Sequence, residues 1–449
     1  MKVCKFGGTS LANAEQIRKV CDIVLSDPDR RLVVVSAPGK RNKEDAKVTD
    51  LLIALAETAL RGEDPAAALE AVVARFSAIA VDLGVHEAAA AIAEDLAKRV
   101  ALSRNDRGRY LDSLKAAGED NAARLVAAYL RSVGEEAHYV DPGEAGMLLT
   151  DEFGNAQVLP ESYDRLASLA ERTGLLLFPG FFGYTRGGEV ATFPRGGSDI
   201  TGSILAAAVR AEVYENWTDV DSVYAVNPAL VSNPHPVAEI TYREMRELAY
   251  AGFSVLHEEA LSPAFQRAIP VNIRNTNNPT AKGTMIVKTR GNFEGTVTGI
   301  AGAKGFCSIN MSKYLMNREV GFVMRVLAIL ADEGIPFEHM PSGIDSLSII
   351  LRQNVFPAEK EQVVLRRLRD ELGIEDAAVE RGLSVVMLVG EAMAHTVGVT
   401  ARAATALAKA GVNLEIINQG ASEISVMFGI REEYCNYAVK ELYKEFFLK

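Results

Sequence analysis

The run Lys5-Phe6-Gly7-Gly8-Thr9-Ser10 follows a short apolar strand at the start of the chain and leads toward a helix. Two glycines, a lysine and two hydroxyls at such a turn suit a phosphate. Glycine lets backbone N–H groups approach oxygens closely, and a helix N-terminus favours negative charge. Lys5 adds a mobile point charge of the kind phosphoryl-transfer sites use. The P-loop spacing G-x-x-x-x-G-K-[ST] occurs nowhere in the chain, so by itself the run fits a tight turn as well as a phosphate cradle.

Four further segments bring polar groups to strand ends. Ser36-Ala37-Pro38-Gly39-Lys40 closes the second strand, with Thr49-Asp50 after it. In open α/β sheets the strand C-termini face the ligand crevice. Gly118-Glu119 is read as opening an Ala-rich helix, where an acid would stabilise the helix dipole. Arg195-Gly196-Gly197-Ser198-Asp199 is a second glycine-rich turn, entering a helix over Thr201 to Val209. Trp217-Thr218-Asp219-Val220-Asp221-Ser222-Val223-Tyr224 follows a strand over Glu212 to Asn216 and offers acids, hydroxyls and an aromatic ring. Together these groups are what phosphoryl transfer onto a small acid requires, a reaction that depends on positioning and charge neutralisation. The glycine turns and Lys5 can hold phosphates, and Asp219 or a neighbouring acid can help organise Mg²⁺. Arg195 can grip a carboxylate bidentately and Glu119 can accept from an ammonium, which suggests an amino-acid substrate.

The elements that must position these residues alternate. Val3 to Phe6, Leu32 to Val35, Leu175 to Phe178 and Val271 to Ile273 are short apolar runs, the pattern of strands covered on both faces. Asn13 with Gln16 forms a capping box before a helix marked by Ile17, Val20, Ile23 and Val24. Residues 60 to 130 are Ala-rich and helical, Asp64-Pro65 starting one helix whose stripe Leu69, Val72, Phe76, Ile79 and Leu83 reads as core. This βα alternation predicts a mainly parallel sheet sandwiched by helices over 1–290. Gly-rich stretches over 290–305 read as a linker. Beyond them a β-α-β plan occurs twice: strand Phe306 to Met311, helix from Gly321 to Asp332, strand Leu347 to Leu351; then strand Leu383 to Val389, helix from Gly398 to Lys409, strand Ile424 to Ile430. Internal duplication into two small ferredoxin-like units follows, over 305–380 and 381–449, the last strand or helix packing back on the first unit.

Composition narrows the classes. At 449 residues the chain exceeds one hydrophobic core. A net charge of −11 disfavours nucleic acid and anionic membrane as partners. No apolar stretch approaches the roughly 20 residues that span a bilayer, and the chain enters a strand with no signal peptide, so a cytoplasmic protein is expected. Cys4, Cys21, Cys307 and Cys435 are scattered and read as reduced structural thiols, the six histidines are scattered too, and no metal cage is expected; His257 and His339 are assigned to packing or hydrogen bonding.

The ordered set K-F-G-G-T-S, V-V-S-A, G-E, R-G-G-S-D and W-T-D-V resembles aspartate kinase, of the amino-acid kinase fold. Ile269-Pro270-Val271-Asn272-Ile273-Arg274-Asn275-Thr276, continued by Gly283-Thr284, is similar to a strand of that family. Asn413 to Ser425 is close to the second of the tandem ACT domains with which the family ends, so the resemblance spans essentially the whole chain. It implies an α/β amino-acid kinase fold followed by two ferredoxin-like ACT domains. It further implies a monofunctional enzyme that uses ATP and Mg²⁺ to convert L-aspartate to 4-phospho-L-aspartate, the first step toward lysine, threonine and methionine. By this resemblance Lys5, Gly7 and Gly8 hold the transferring phosphate, Thr9 and Ser10 complete the nucleotide turn, and Asp199 orders the site. Ser36 and Thr49 are substrate hydroxyls. Glu119 holds the aspartate amine, and Arg195, with Gly196 and Ser198, holds the α-carboxylate. Thr218, Asp219 and Tyr224 form the nucleotide-side loop. Lysine, threonine or both are implied as feedback effectors, with Met316, Glu319, Gly321, Val323 and Glu338 in the first ACT unit and Asn418 and Gln419 in the second, in a homodimer or homotetramer built through the ACT domains.

The sequence departs from the family pattern on the ATP side. Asn227-Pro228-Ala229 lacks the usual arginine, Ser254-Val255-Leu256-His257-Glu258 lacks a lysine, and Pro194 replaces a glycine. The extra stretch Arg41 to Lys47 carries basic side chains that could compensate. These losses leave an alternative: a catalytically weak amino-acid sensor of the same fold.

Overall fold

The computed structural model describes residues 1–253, 258–291, 293, 295–420 and 422–448. Ser254 to His257, where the sequence lacks the family lysine, lie outside the described residues. The chain divides into two compact units. The first comprises Met1–Val223, Pro236–Met245 and the described part of 254–291; the second comprises Tyr224–His235, Arg246–Phe253 and the described part of 292–449.

The first unit is built on an eight-stranded sheet in the order Ala137–Tyr139, Leu175–Pro179, Arg30–Val35, Lys2–Phe6, Val213–Thr218, Val271–Asn275, Thr284–Val287, Glu239–Thr241. Every neighbouring pair is parallel except Val271–Asn275 with Thr284–Val287. The continuous apolar runs follow from burial on both faces. On one face Cys4, Phe6, Val33, Val35 and Leu177 share a core with the helices Ala14–Leu25, Val48–Leu60, Ala66–Leu83, His86–Val100 and Arg107–Ser132. On the other, helix Gly197–Ala208 packs on strands Lys2–Phe6 and Val213–Thr218; Gly202 admits the Tyr214 ring so closely that a Cβ would lie 2.5 Å from its hydroxyl. Strand Lys2–Phe6 is the first in sequence yet sits mid-sheet, with Arg30–Val35 added on one side of it and Val213–Thr218 on the other. That reversal creates the topological switch point at which open α/β sheets bind ligands.

The second unit carries an antiparallel five-stranded sheet in the order Ser346–Arg352, Gly299–Ser312, Asp376–Val389, Ser425–Arg431, Ile416–Gln419. The Gly299–Gly305 stretch expected to be linker is therefore strand. Two long strands of fourteen residues each run through both halves of this sheet. Their register slips between Lys304 and Phe306, where Gly305 adopts φ +84°. The slip divides them: Phe306–Ser312 pair with Ser346–Arg352, whereas Gly299–Lys304 pair with Ser384–Val389. Helix Cys435–Phe447 packs on this strand through Gly302, where a Cβ would lie 2.8 Å from Val439 Cγ2 and 3.0 Å from Cys435 Sγ. The duplicated β-α-β plan is present, each helix, Phe322–Asp332 and Val399–Lys409, entered through a left-handed glycine, Gly321 at φ +77° and Gly398 at φ +87°.

Candidate active site

Alternation along strand Lys2–Phe6 decides what reaches the crevice. Cys4 and Phe6 point toward Glu215 and Trp217 of the neighbouring strand: Cys4 Sγ lies 3.3 Å from Glu215 Oε2, and the Phe6 and Trp217 rings stack at 5.8 Å. Lys5, in register with Asn216, lies on the opposite face. Its Nζ makes a 2.6 Å ion pair with Asp199 Oδ1. The same oxygen accepts from Asn216 Nδ2 at 2.8 Å, and the Asp199 carbonyl accepts from Tyr214 Oη at 3.2 Å. Lys5 is 8% exposed, so its charge is held in a fixed place at low dielectric.

Gly7 and Gly8 leave the strand into a short 3-10 turn, Gly8–Leu11, before the helix capped by Asn13. Asn13 accepts from Gln16 N–H at 2.9 Å as the capping box requires, while the Gln16 amide turns instead to Asn277. Gly7 N–H donates to the Trp217 carbonyl at 3.1 Å. Gly8 must be glycine because of a neighbouring backbone: its Cβ would sit 2.9 Å from Ala37 O, and Gly39 N–H donates to Gly8 O at 2.7 Å. Thr9 is exposed; Ser10 is buried and shares a 2.8 Å hydrogen bond with Thr276. Ser36 follows the second strand, half-buried, and its N–H donates to Phe6 O. Thr49 lies half-buried in the first turn of helix Val48–Leu60.

Glu119 lies in the middle of helix Arg107–Ser132, not at a helix start as its sequence suggested. Gly118 is there because a Cβ would meet Ala37 Cβ at 2.7 Å, so the helix presses against the loop after the second strand. Glu119 is buried, and its Oε2 has no hydrogen-bond partner among the described residues. Burial pushes its carboxyl up to about 8, against the opposing influence of the Ala37 and Glu119 backbones and of the Lys5 charge.

The second glycine turn also differs in extent from its reading. The helix begins at Gly197, four residues before Thr201, with Gly196 at φ +85° as its cap. Ser198 is buried and packs on Gly180, where a Cβ would lie 2.7 Å from Ser198 Cβ. Arg195 is exposed at the mouth of this turn. Thr218 and Asp219 stand at the end of strand Val213–Thr218; Thr218 Oγ1 donates to Asp219 Oδ1 at 3.2 Å, and Asp219 is exposed. Tyr224 belongs to the second compact unit and is half-buried there.

The structure thus brings Lys5, Asp199, Glu119 and the Gly7–Gly8 turn to one switch point of a parallel sheet. Residues 1–275 match the amino acid kinase family, and residues 386–446 match the ACT domain. The chain belongs to the aspartate kinases of the amino acid kinase family. Aspartokinase 3 of Bacillus subtilis (strain 168) is 55% identical over 448 residues, covering 100% of this chain and 99% of its own. The crystal structure of Clostridium acetobutylicum aspartate kinase is 35% identical with a TM-score of 0.87, covering 99% of this chain and 100% of that chain. Aspartokinase III of E. coli is similar in two states. The R-state complex with aspartate and ADP is 28% identical at TM-score 0.77, covering 99% of each chain. The T-state complex with lysine and aspartate is 29% identical at TM-score 0.73, covering 100% of this chain and 99% of that chain.

Several residues of this aspartate kinase's site gave no separate signal in the sequence. Asn216 is one, a buried amide between Glu215 and Trp217 whose Nδ2 donates to Asp199 Oδ1 at 2.8 Å and reaches Tyr214 Oη at 3.5 Å. Phe181 is another: it follows Gly180 with φ +74°, a left-handed backbone that a bulky residue adopts only under constraint. Its N–H is held by Thr201 Oγ1 at 3.0 Å, and its ring fills the space that a Cβ on Gly197 would enter at 2.5 Å. The basic stretch after Gly39 is less free than its composition implied. Arg41 is committed to Asp45 through Nε and Nη2, both at 2.9 Å. Lys43 and Lys47 remain exposed.

In the second unit the polar members of the expected effector set already have partners. Glu319 pairs with Lys313 at 2.5 Å and with Arg325; Glu338 pairs with Arg352 at 3.3 Å. Met316 is buried, and Val323 lies one residue into the helix that Gly321 caps. Asn418 Nδ2 lies 3.4 Å from His339 Nδ1 and Gln419 Oε1 lies 3.3 Å from Thr400 Oγ1. His339 also meets Tyr250 edge-on, so hydrogen bonding and packing occupy it as expected. No described helix is long and apolar enough to cross a membrane.

Proposed function

We propose that this aspartate kinase moves the γ-phosphoryl group of ATP to the β-carboxylate of L-aspartate through the Lys5 switch-point site. The observation that carries this reading is a buried ammonium, Lys5, fixed by Asp199, whose charge is felt by a buried carboxyl, Glu119, with no hydrogen-bond partner for its Oε2 among the described residues. In the reaction a β-carboxylate oxygen forms a bond to the γ-phosphorus while the bond to the β,γ-bridging oxygen breaks. ADP leaves with that electron pair. The attacking carboxylate is ionised at neutral pH, so no general base is needed, and stabilisation of charge on the transferring oxygens is the main catalytic demand.

Lys5 and the Gly8 amide would meet that charge, with Asp199 and Asn216 fixing the lysine and the Gly7 N–H, donated to the Trp217 carbonyl, holding the turn in place. Thr9, Ser10, Thr218 and Asp219 would line the nucleotide. Glu119 would take the aspartate ammonium, and Arg195, with Gly196 and Ser198, its α-carboxylate; Ser36 and Thr49 would donate hydroxyls. Among the described residues no group of three or more His, Cys, Asp or Glu side chains could hold a metal ion. Asp219, exposed at the end of strand Val213–Thr218, fits as an outer partner of Mg²⁺ arriving with the nucleotide, because Mg²⁺ commonly uses one or two carboxylates plus substrate phosphates. When bound, the ion would neutralise charge on the β- and γ-phosphates.

Lysine and/or threonine would act at the second unit, and a free effector amine would compete with Arg352 for Glu338. Self-association through this unit is supported by its exposed apolar side chains, Val320 at 98% and Met324 at 69%, beside the Gly321 helix start. Trapping the acyl phosphate with hydroxylamine tests the reaction. Hydroxamate should form with ATP, Mg²⁺ and L-aspartate and fall at least a hundredfold in K5A and R195A. Wild-type rates in K5A would refute the assignment.

A further inference from the structure

Of the expected stripe, helix Ala66–Leu83 buries Val72, Phe76, Ile79 and Leu83, leaves Leu69 half-buried, and buries an arginine as well. Arg75 is 5% exposed. Its guanidinium reaches three places at once. Nη2 donates to Gly39 O at 2.7 Å and to Ala12 O at 3.1 Å, and Nη1 lies 2.9 Å from Asp45 Oδ2. Ala12 ends the 3-10 turn that carries Gly8, Thr9 and Ser10. Gly39 is the residue whose backbone presses on Gly8, with an added Cβ falling 2.6 Å from Gly8 C. Asp45 anchors the basic stretch after it, taking Arg41 N–H at 2.9 Å as well as its side chain.

We infer that Arg75 and Asp45 form a clamp that positions both walls of the phosphate site, holding the 36–49 loop against the Gly7–Gly8 turn. The guanidinium suits this work because its Nη2 serves two carbonyls at once while its charge lies against the Asp45 carboxylate, an arrangement that a single ammonium on a flexible stem does not reproduce. Neither residue touches the reacting atoms; both are positioning residues. The same loop carries Ser36 at its start and leads to Thr49 at its end, so one clamp sets the spacing between the phosphate turn and the candidate substrate hydroxyls. Burial makes Arg75 the sensitive half: removing Asp45 leaves its guanidinium buried without a carboxylate, and removing Arg75 takes away the Gly39, Ala12 and Asp45 contacts together, although Asp45 keeps Arg41.

This inference rests on the kinase reading, so the test has two readouts. Steady-state hydroxamate formation is measured for wild type, D45N, R75Q, R75K and the D45N/R75Q double variant. Hydrogen exchange of peptides spanning residues 36–49 is followed in the same full-length proteins. D45N and R75Q should each lower kcat/KM tenfold or more, the loss lying mainly in kcat, because misplacement by about 1 Å can cost a hundredfold. The double variant should be no worse than R75Q, since the two residues act as one unit. R75K should resemble R75Q rather than wild type. Exchange in 36–49 should quicken while the helix bearing Glu119 stays protected. Wild-type kcat/KM and exchange in D45N, whose side chain reaches solvent and whose loss is compatible with folding, would overturn the proposal. So would a double variant whose defect is the product of the single defects. Failure of wild type itself to form hydroxamate would count against the kinase reading and leave the exchange comparison to decide the clamp.

Discussion

Glu119 is a carboxyl that folding places at a cost and that a cationic ligand can discharge. Its ordinary pKa near 4.5 is raised to about 8 by burial, so between these values the unfolded chain gives up a proton that the folded enzyme keeps. Stability therefore falls as pH rises from about 4.5 to 8 and is flat beyond. E119Q removes this penalty. Its thermal midpoint should exceed wild type by several degrees at pH 8 and by little at pH 5, and a scan at both values checks it. An ammonium beside Oε2 favours the carboxylate, so aspartate binding near pH 7 should release up to one proton. Calorimetric titration in two buffers of different ionisation enthalpy measures that release; an identical apparent enthalpy in both would show that Glu119 keeps its proton. A site that trades stability for recognition in this way is an expected location for a stabilising but inactivating substitution.

At the scale of elements, several glycines are required by a close neighbour and not by a left-handed backbone, among them Gly8, Gly39, Gly118, Gly202 and Gly302. Gly39 faces the Gly8 backbone, with the three nearest contacts of an added Cβ at 2.6, 2.7 and 2.8 Å, all to main-chain atoms that cannot rotate away. G39A should accordingly separate the loop from the phosphate turn and lower kcat/KM a hundredfold or more, while the thermal midpoint moves by a few degrees; kinetics beside a melting curve checks both. The same property made parts of the fold hard to read. Gly299, Gly302 and Gly305 looked like linker, yet two of them serve packing and the third a register slip: Gly299 admits Leu248, Gly302 admits helix Cys435–Phe447, and Gly305 makes the bulge. Gly118 looked like a helix start because its reason, the Ala37 methyl, is distant in sequence. What was legible was local: the apolar parallel strands, the Asn13 cap, and the two turns bearing Lys5 and Asp199. Arg75 was hidden because helical periodicity marks which face is buried, not that a long cation within it reaches three main-chain and side-chain acceptors. Phe181 and Asn216 were hidden for a related reason, since their partners lie on other elements.

Across the whole chain, two units with unlike sheets divide the labour of reaction and regulation. The parallel sheet makes a switch point with polar strand ends; the antiparallel sheet makes two helix starts, each opened by a left-handed glycine. An effector amino acid that recognises the second unit must offer its ammonium to a carboxylate that already has a cation. Glu338 is held by Arg352, which is itself engaged by the Tyr250 carbonyl at 3.2 Å and stacked 4.2 Å from the Phe306 ring. Exchanging one cation for another is nearly neutral in charge, so affinity would come from the additional contacts that the effector side chain and carboxylate make. Regulation then requires that those contacts differ between two states of the enzyme, because a ligand shifts an equilibrium only by its differential affinity. On this argument E338Q should weaken the effector selectively. The concentration of lysine or threonine that half-inhibits hydroxamate formation should rise at least tenfold, and calorimetric binding of that amino acid should weaken by the same factor. Inhibition unchanged in E338Q, with wild-type binding heat, would place the effector ammonium elsewhere in the unit, with Glu319 and its two cationic partners as the remaining acidic site among the proposed residues.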